Sequence, residues 1–293
     1  MKSAKQRKHD CEVPDMTDRA QQLTRVNQCQ LARCVSSICL RAQRDYEHIS
    51  QLRMSVFRVR KLDPSTAVDA SNPGSLPEMD AVLDVLIRAF TGDIFTAVAT
   101  GHAVEDPDTT HNRAMNKSMV VAGLLGGEVY VAETNDTSKI VGCAIWFGPG
   151  RALYDTPEQR QHALEPFMAS LDKELRDWWL KILLPKYDSF VTSVLGEGTK
   201  LAAWHLQTLG VDPAYHRRGV GKLLVNTIVQ KYRAGQEHPP ALSVEAATET
   251  NLKVYTNLGF HLMPKDNTGP DSCKQTYTGI KGNITPHWAL LME

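Results

Sequence analysis

Residues 201–235 read LAAWHLQTLGV, then DPAYH, then RRGVGKLLVNTIVQKYRAG. The first eleven are nearly all apolar, the pattern of a strand covered on both faces in the middle of a sheet. From Arg218 to Gly235 the last stretch reads as a helix, with Val220, Leu223, Leu224, Ile228 and Tyr232 on one face and Gly235 placed to end it. A doubly buried strand running straight into an amphipathic helix restricts the chain to folds in which helices cover a sheet.

The neighbouring segments supply the rest of such a sheet. SVFRVRKL (55–62) alternates as a half-buried strand, and EVYVAET (128–134) and IVGCAIWF (140–147) flank the turn NDTSK. PALSVEA (240–246), GFHLMP (259–264) and ITPHWALLM (284–292) are further strands. Helical spacing marks 76–90, about 109–125, much of 156–195, and 250–258. The expectation is an α/β fold: one mixed, mostly antiparallel sheet with helices on both faces, over residues 54–293. Residues 1–53 carry a basic excess, and the sequence assigns them to a poorly ordered N-terminal extension. Its acidic residues Asp10, Glu12, Asp15 and Asp18 argue against a mitochondrial leader.

Lysine plus arginine equals aspartate plus glutamate, so the chain lacks the basic excess of a nucleic-acid binder. No apolar run approaches the roughly 18 residues that a membrane helix needs. Cys11, Cys29, Cys34 and Cys39 cluster early but contain no C-x2-C pair, so no metal is expected and the thiols are read as reduced. A cytoplasmic protein, monomeric or homodimeric, is the expectation.

The chemistry sits in HRRGVGK (216–222). A helix N-terminus presents unpaired N–H groups and partial positive charge. Glycines there let a phosphate approach the backbone itself, and cations add charge-assisted bonds. Gly219 and Gly221 fit the first role; Arg217, Arg218 and Lys222 fit the second. A nucleotide P-loop is excluded, because His216 stands where its first glycine belongs and Leu223 follows Lys222. A dinucleotide fingerprint fails at Leu224, and the chain after Glu245 is too short for the second half of that fold.

The succession of strand, HRRGVGK, long helix, strand, NLKVYTNL and Gly259-Phe260 resembles the GNAT superfamily of acyl-CoA N-acyltransferases. LGVDP and WFGPG are similar in arrangement to fungal members of it. The resemblance implies a sheet splayed in the middle and acetyl-CoA as co-substrate. It implies a cofactor site made of Leu209, Gly210, Val211, His216, Arg217, Arg218, Gly219, Val220, Gly221, Lys222, Asn251 and Tyr255. His216 departs from the family's Gln or Arg at its position.

Moving an acyl group from a thioester to an amine requires a neutral amine, a donor to the oxyanion and a proton for the leaving thiolate. By the resemblance, the Val211 N–H is the oxyanion donor and Tyr255 the general acid. His205 and Glu245 are the two candidates for the base. The acceptor is expected to be a small-molecule primary amine, held by the first helices, the 156–195 region and IWFGPG, with Trp146, Phe147, Trp178 and Trp179 as an apolar lining. A protein or peptide acceptor, or a non-catalytic acyl-CoA-binding module, are the alternatives.

Overall fold

The computed structural model describes residues 56–69, 72–106, 109–233, 235–263 and 273–293. The early cysteines and the N-terminal extension lie outside the described residues. Strand β1 (Phe57–Lys61) is followed by helices α1 (Met79–Ala89), α2 (Ile94–Thr100) and α3 (Thr110–Gly126), then strands β2 (Glu128–Thr134) and β3 (Ile140–Phe147). Two long helices follow, α4 (157–170) and α5 (173–195), each interrupted by a π turn, at Arg160–Leu164 and Trp179–Leu183. A short turn of helix, α6 (Thr199–Ala202), leads into β4 (Trp204–Val211). The C-terminal part is α7 (Val220–Arg233), β5 (Leu242–Ala246), α8 (Glu249–Asn257), β6 (His261–Leu262), β7 (Lys274–Thr278) and β8 (Ile284–Met292).

All eight strands form one sheet in the order β1-β2-β3-β4-β5-β8-β6, with β7 also paired to β8. Every pairing is antiparallel except β4 with β5. That parallel pair is short. Its register runs from Trp204↔Leu242 to Leu206↔Val244 and stops there, although β4 continues to Val211. The sheet is therefore split beyond Leu206, which matches the splay expected from the sequence.

Helices pack on both faces because the strands alternate between two cores. Val129 and Val131 of β2 face a cluster with Val82, Leu86, Val120 and Leu175, while Tyr130 and Ala132 face one with Val220, Leu224, Val225 and Ile228. The apolar stripe read in the sequence thus seats α7 on the sheet. Trp178 and Trp179 are core residues of the first cluster, their indole N–H groups donating to the Thr278 and Ala99 carbonyls. Trp146 and Phe147 are fully buried too. These four aromatic rings are packing, not an acceptor lining: β3 is buried along its whole length, and Trp178 and Trp179 are built into the first core.

Candidate active site at the split between two parallel strands

The split exposes one edge of β4. In an antiparallel ladder, successive residues point their N–H and C=O to opposite sides. The Asp212 N–H donates to the Val141 carbonyl at 2.9 Å, so Asp212 and Gly210 face β3, while Val211 and Leu209 face the unpaired side. The imidazole of His216 agrees, since its Nε2 lies 2.9 Å from the Val211 carbonyl and must carry the proton to donate there. Val211 and Leu209 therefore aim backbone N–H groups into the split, and Gly210 serves differently. A Cβ on Gly210 would stand 2.6 Å from Leu86 Cδ2 and 3.3 Å from Ala89 Cβ, so glycine lets α1 lie directly on β4.

Asp212 closes the end of β4. It is buried, accepts from the Ala214 N–H at 3.0 Å and from Arg88 Nε at 3.0 Å, and so ties α1 to the loop that begins there. Those bonds and the Arg88 charge hold its carboxyl below the usual range against the opposing effect of burial, which is the largest single influence. Beyond it, Arg217 takes a left-handed φ of 60° and Gly219 a φ of 88°. Arg217 and Arg218 are exposed, with the Arg218 guanidinium over the Tyr215 ring at 5.2 Å. The two glycines have different reasons. Gly219 is required by its φ, whereas an added Cβ at Gly221 would meet only Leu209 and Val211, at an ordinary 3.9 Å. Among the described residues nothing demands glycine at 221. Its empty side faces the open edge of β4, which fits a phosphate chain lying on the helix N-terminus.

From the other side of the split comes α8. Thr248 caps it by accepting from the Asn251 N–H, and Tyr255 sits one turn further on, buried and edge-on to Phe260. Burial, then the negative charges of Glu245 and Asp93, raise the Tyr255 phenol well above its ordinary pKa. Tyr255 is thus protonated at neutral pH. Asp93 caps α2 by accepting from the Thr96 N–H, and its own carboxyl is pushed up by burial.

At the base of the split the parallel register sets His205 beside Ser243, and the side chain of Glu245 reaches the same place. His205 Nδ1 lies 3.1 Å from Ser243 Oγ, and its Nε2 lies 3.4 Å from Glu245 Oε2. Glu245 also accepts a hydrogen bond of 2.8 Å from the Tyr187 phenol of α5, and Lys200 Nζ is 3.7 Å from its other oxygen. Burial, then the Lys200 charge, depress His205 to about 3, so the ring is neutral. Glu245 is held below its ordinary value, burial opposing and the Lys200 charge leading the favourable contributions.

The sequence singled out His205, Glu245, Leu209 to Val211, His216 to Lys222, Asn251 and Tyr255; in the structure His205 and Glu245 meet beside Ser243, the two runs lie at the end of β4 and at the start of α7, and Asn251 and Tyr255 lie on α8. It did not single out Arg88, Asp93, Tyr187, Lys200, Ser243 or Asp212. These come from separate elements and share no local motif. Cys143 and Cys273 are buried, and burial pushes the Cys143 thiol up to about 12, far from the reactive range. Among the described residues no cluster of His, Cys, Asp and Glu has the makings of a metal site, and no helix is long and apolar enough to cross a membrane.

A mixed sheet opened between two parallel strands, with a glycine loop on a helix N-terminus at the opening, defines the class. Residues 187–274 match the family model of the acetyltransferase (GNAT) domain. No curated protein matches the chain. Among solved structures, arylalkylamine N-acetyltransferase 2 from Aedes aegypti is similar at 15% identity and a TM-score of 0.50, over 80% of this chain and 97% of that one. A mosquito arylalkylamine N-acetyltransferase-like 5b protein gives 19% identity and 0.48, over 80% and 100%. The polyamine N-acetyltransferase of Drosophila melanogaster gives 16% and 0.48, over 81% and 99%.

Proposed function

We propose that this protein transfers an acetyl group from acetyl-CoA to a primary amine of a small molecule. The observation that carries the reading is the early end of the β4–β5 pairing, which leaves the N–H groups of Leu209 and Val211 unpaired on the strand that runs into the 216–222 loop. In this reading the backbone of Gly219, Val220 and Gly221 holds the pyrophosphate of the co-substrate, with Arg217, Arg218 and Lys222 as charge partners and His216 locking the loop to Val211. Asn251 lies beside the pantetheine arm, and Leu209 to Val211 line it.

The chemistry then follows from positions and charge states. The Val211 N–H donates to the oxyanion that forms when the amine attacks the thioester carbonyl. Tyr255, kept protonated by its surroundings, gives its proton to the departing sulfur. His205 and Glu245 act as a pair that takes the proton from the incoming ammonium. Both are unprotonated at neutral pH, as a base must be. A module that only bound acyl-CoA would not call for a protonated phenol at the opening.

The test is turnover of acetyl-CoA with a panel of arylalkylamines and polyamines, following released thiol and the mass of the acetylated product. Tyr255→Phe should lower kcat by about 10²-fold or more, the usual contribution of a general acid, with little change in acetyl-CoA affinity. Unchanged turnover in that variant would remove Tyr255 from the reaction.

A further inference from the structure

Acetylation of an amine that arrives as an ammonium releases one proton to solvent for each turnover. Nitrogen loses two protons overall; one leaves with the thiol and the other must escape from the base. The base of the split is buried: His205 is 3% exposed, and its Nε2 and Glu245 Oε1 are buried with no hydrogen-bond partner among the described residues. Among the described residues a line of groups leads out. Glu245 Oε2 is bonded to the Tyr187 phenol at 2.8 Å, that phenol is bonded to Lys200 Nζ, and 23% of the Lys200 side chain is in contact with solvent.

We propose that Tyr187 and Lys200 form the proton exit of the acetyl-transfer site, carrying the proton taken up at Glu245 and His205 to bulk water. The proposal rests on the acyltransfer reading given above. At rest the hydrogen bonds point inward, since Lys200 donates to Tyr187 and Tyr187 donates to Glu245. The cycle begins when Lys200 gives a proton to water and becomes a neutral amine. Glu245, protonated by the substrate, passes its proton to the Tyr187 oxygen as Tyr187 gives its own to Lys200 Nζ. Each group ends as it began, and one proton has crossed.

The surroundings favour this order. Burial lowers the Lys200 pKa, opposed by the charges of Glu245 on β5 and Asp188 on α5, so its proton leaves more readily than from an exposed lysine. The Lys200 charge is also what most lowers Glu245 and, after burial, His205. Loss of that charge makes both better bases at the step that needs them. Among the described residues, the other ionisable groups that feel Glu245 are Tyr255, Tyr277 and His287, all neutral near pH 7.

Lys200→Arg separates relay from scaffold, because it keeps the charge and a donor but cannot give up its proton. With a panel amine such as tryptamine or spermidine that the wild type acetylates, Lys200→Arg and Tyr187→Phe should lower kcat about tenfold or more. The rising limb of the wild-type kcat–pH profile should be lost in Lys200→Arg. Both variants should keep the wild-type rise in melting temperature with acetyl-CoA. Lys200→Ala should recover turnover in proportion to added imidazole, which carries the proton in place of the side chain. Wild-type kcat and pH profile in Lys200→Arg, or loss of the acetyl-CoA melting shift in both variants, overturns the relay. Failure of the wild type itself to acetylate any panel amine overturns the acyltransfer reading, and the relay with it.

Discussion

Gly219 and Gly221 look alike in the sequence and differ in the structure. The first is held by its left-handed φ; the second has an open side directed at Leu209 and Val211. Gly221→Ala should therefore leave the protein as stable as before, or up to about 1 kcal/mol more stable, since alanine is the better helix former. Its acetyl-CoA affinity should fall at least about tenfold, or roughly 1.4 kcal/mol. Titration calorimetry beside a urea melt reads both; a variant that binds normally would mean that the glycine has no ligand to admit. The same contrast lies beyond the sequence: G-V-G at a helix start reads as two equivalent glycines, and only the fold separates the one that its φ requires from the one that has open space.

Two buried histidines give the residue scale a pH dependence. His205 is depressed to about 3 and His287 to about 4, burial leading in each case. Unfolded, each would titrate near 6.5. The unfolded chain therefore takes up protons that the folded chain refuses, and stability falls as pH drops below the unfolded value. Each histidine should cost a little over about 1 kcal/mol between pH 7 and pH 5.5. His287→Gln should recover its share of that loss in urea titrations, and an unchanged pH dependence would contradict its burial as a neutral ring.

At the scale of elements, the central strand does most of the positioning. β4 pairs with β3 along its length and with β5 only over its first residues, while α1 rests against Gly210. Gly210→Ala should lower stability by about 1–3 kcal/mol, the usual cost of overpacking, because Leu86 is fully buried and has little room to move. A melting temperature equal to the wild type would show that α1 is not seated there. Most elements were legible from periodicity: β2, β3 and β8 occupy the expected residues, and α7 begins two residues after its expected start. The misses have physical causes. α2 is seven residues long, too short to show a helical period, and β7 (KQTYT) has only Tyr277 buried, so it lacks the apolar alternation of a strand. Residues 201–203 were assigned to the central strand and belong instead to the end of α6 and the residue after it.

At the scale of the molecule, the candidate site was legible where one segment carries it and illegible where folding assembles it. Residues 209–222 and 251–260 announce themselves as contiguous motifs. Tyr187 and Lys200 do not, because a tyrosine and a lysine on two helices acquire meaning only when α5 and α6 bring them to Glu245 on β5. Asp93 likewise gains its meaning only in space, as the cap of α2 and an electrostatic neighbour of Tyr255.

The central claim is that the split and its glycine loop hold an acyl-CoA. Thermal unfolding of the full chain with acetyl-CoA, CoA, NAD and ATP, each tried separately, tests it most directly. A ligand at about a hundred times its dissociation constant adds roughly 2.7 kcal/mol to the native state, a shift that a melting curve resolves. The expected result is a rise with acetyl-CoA and CoA that NAD and ATP do not reproduce and that Gly221→Ala diminishes. A rise with NAD or ATP alone, or with none of the four, would contradict it.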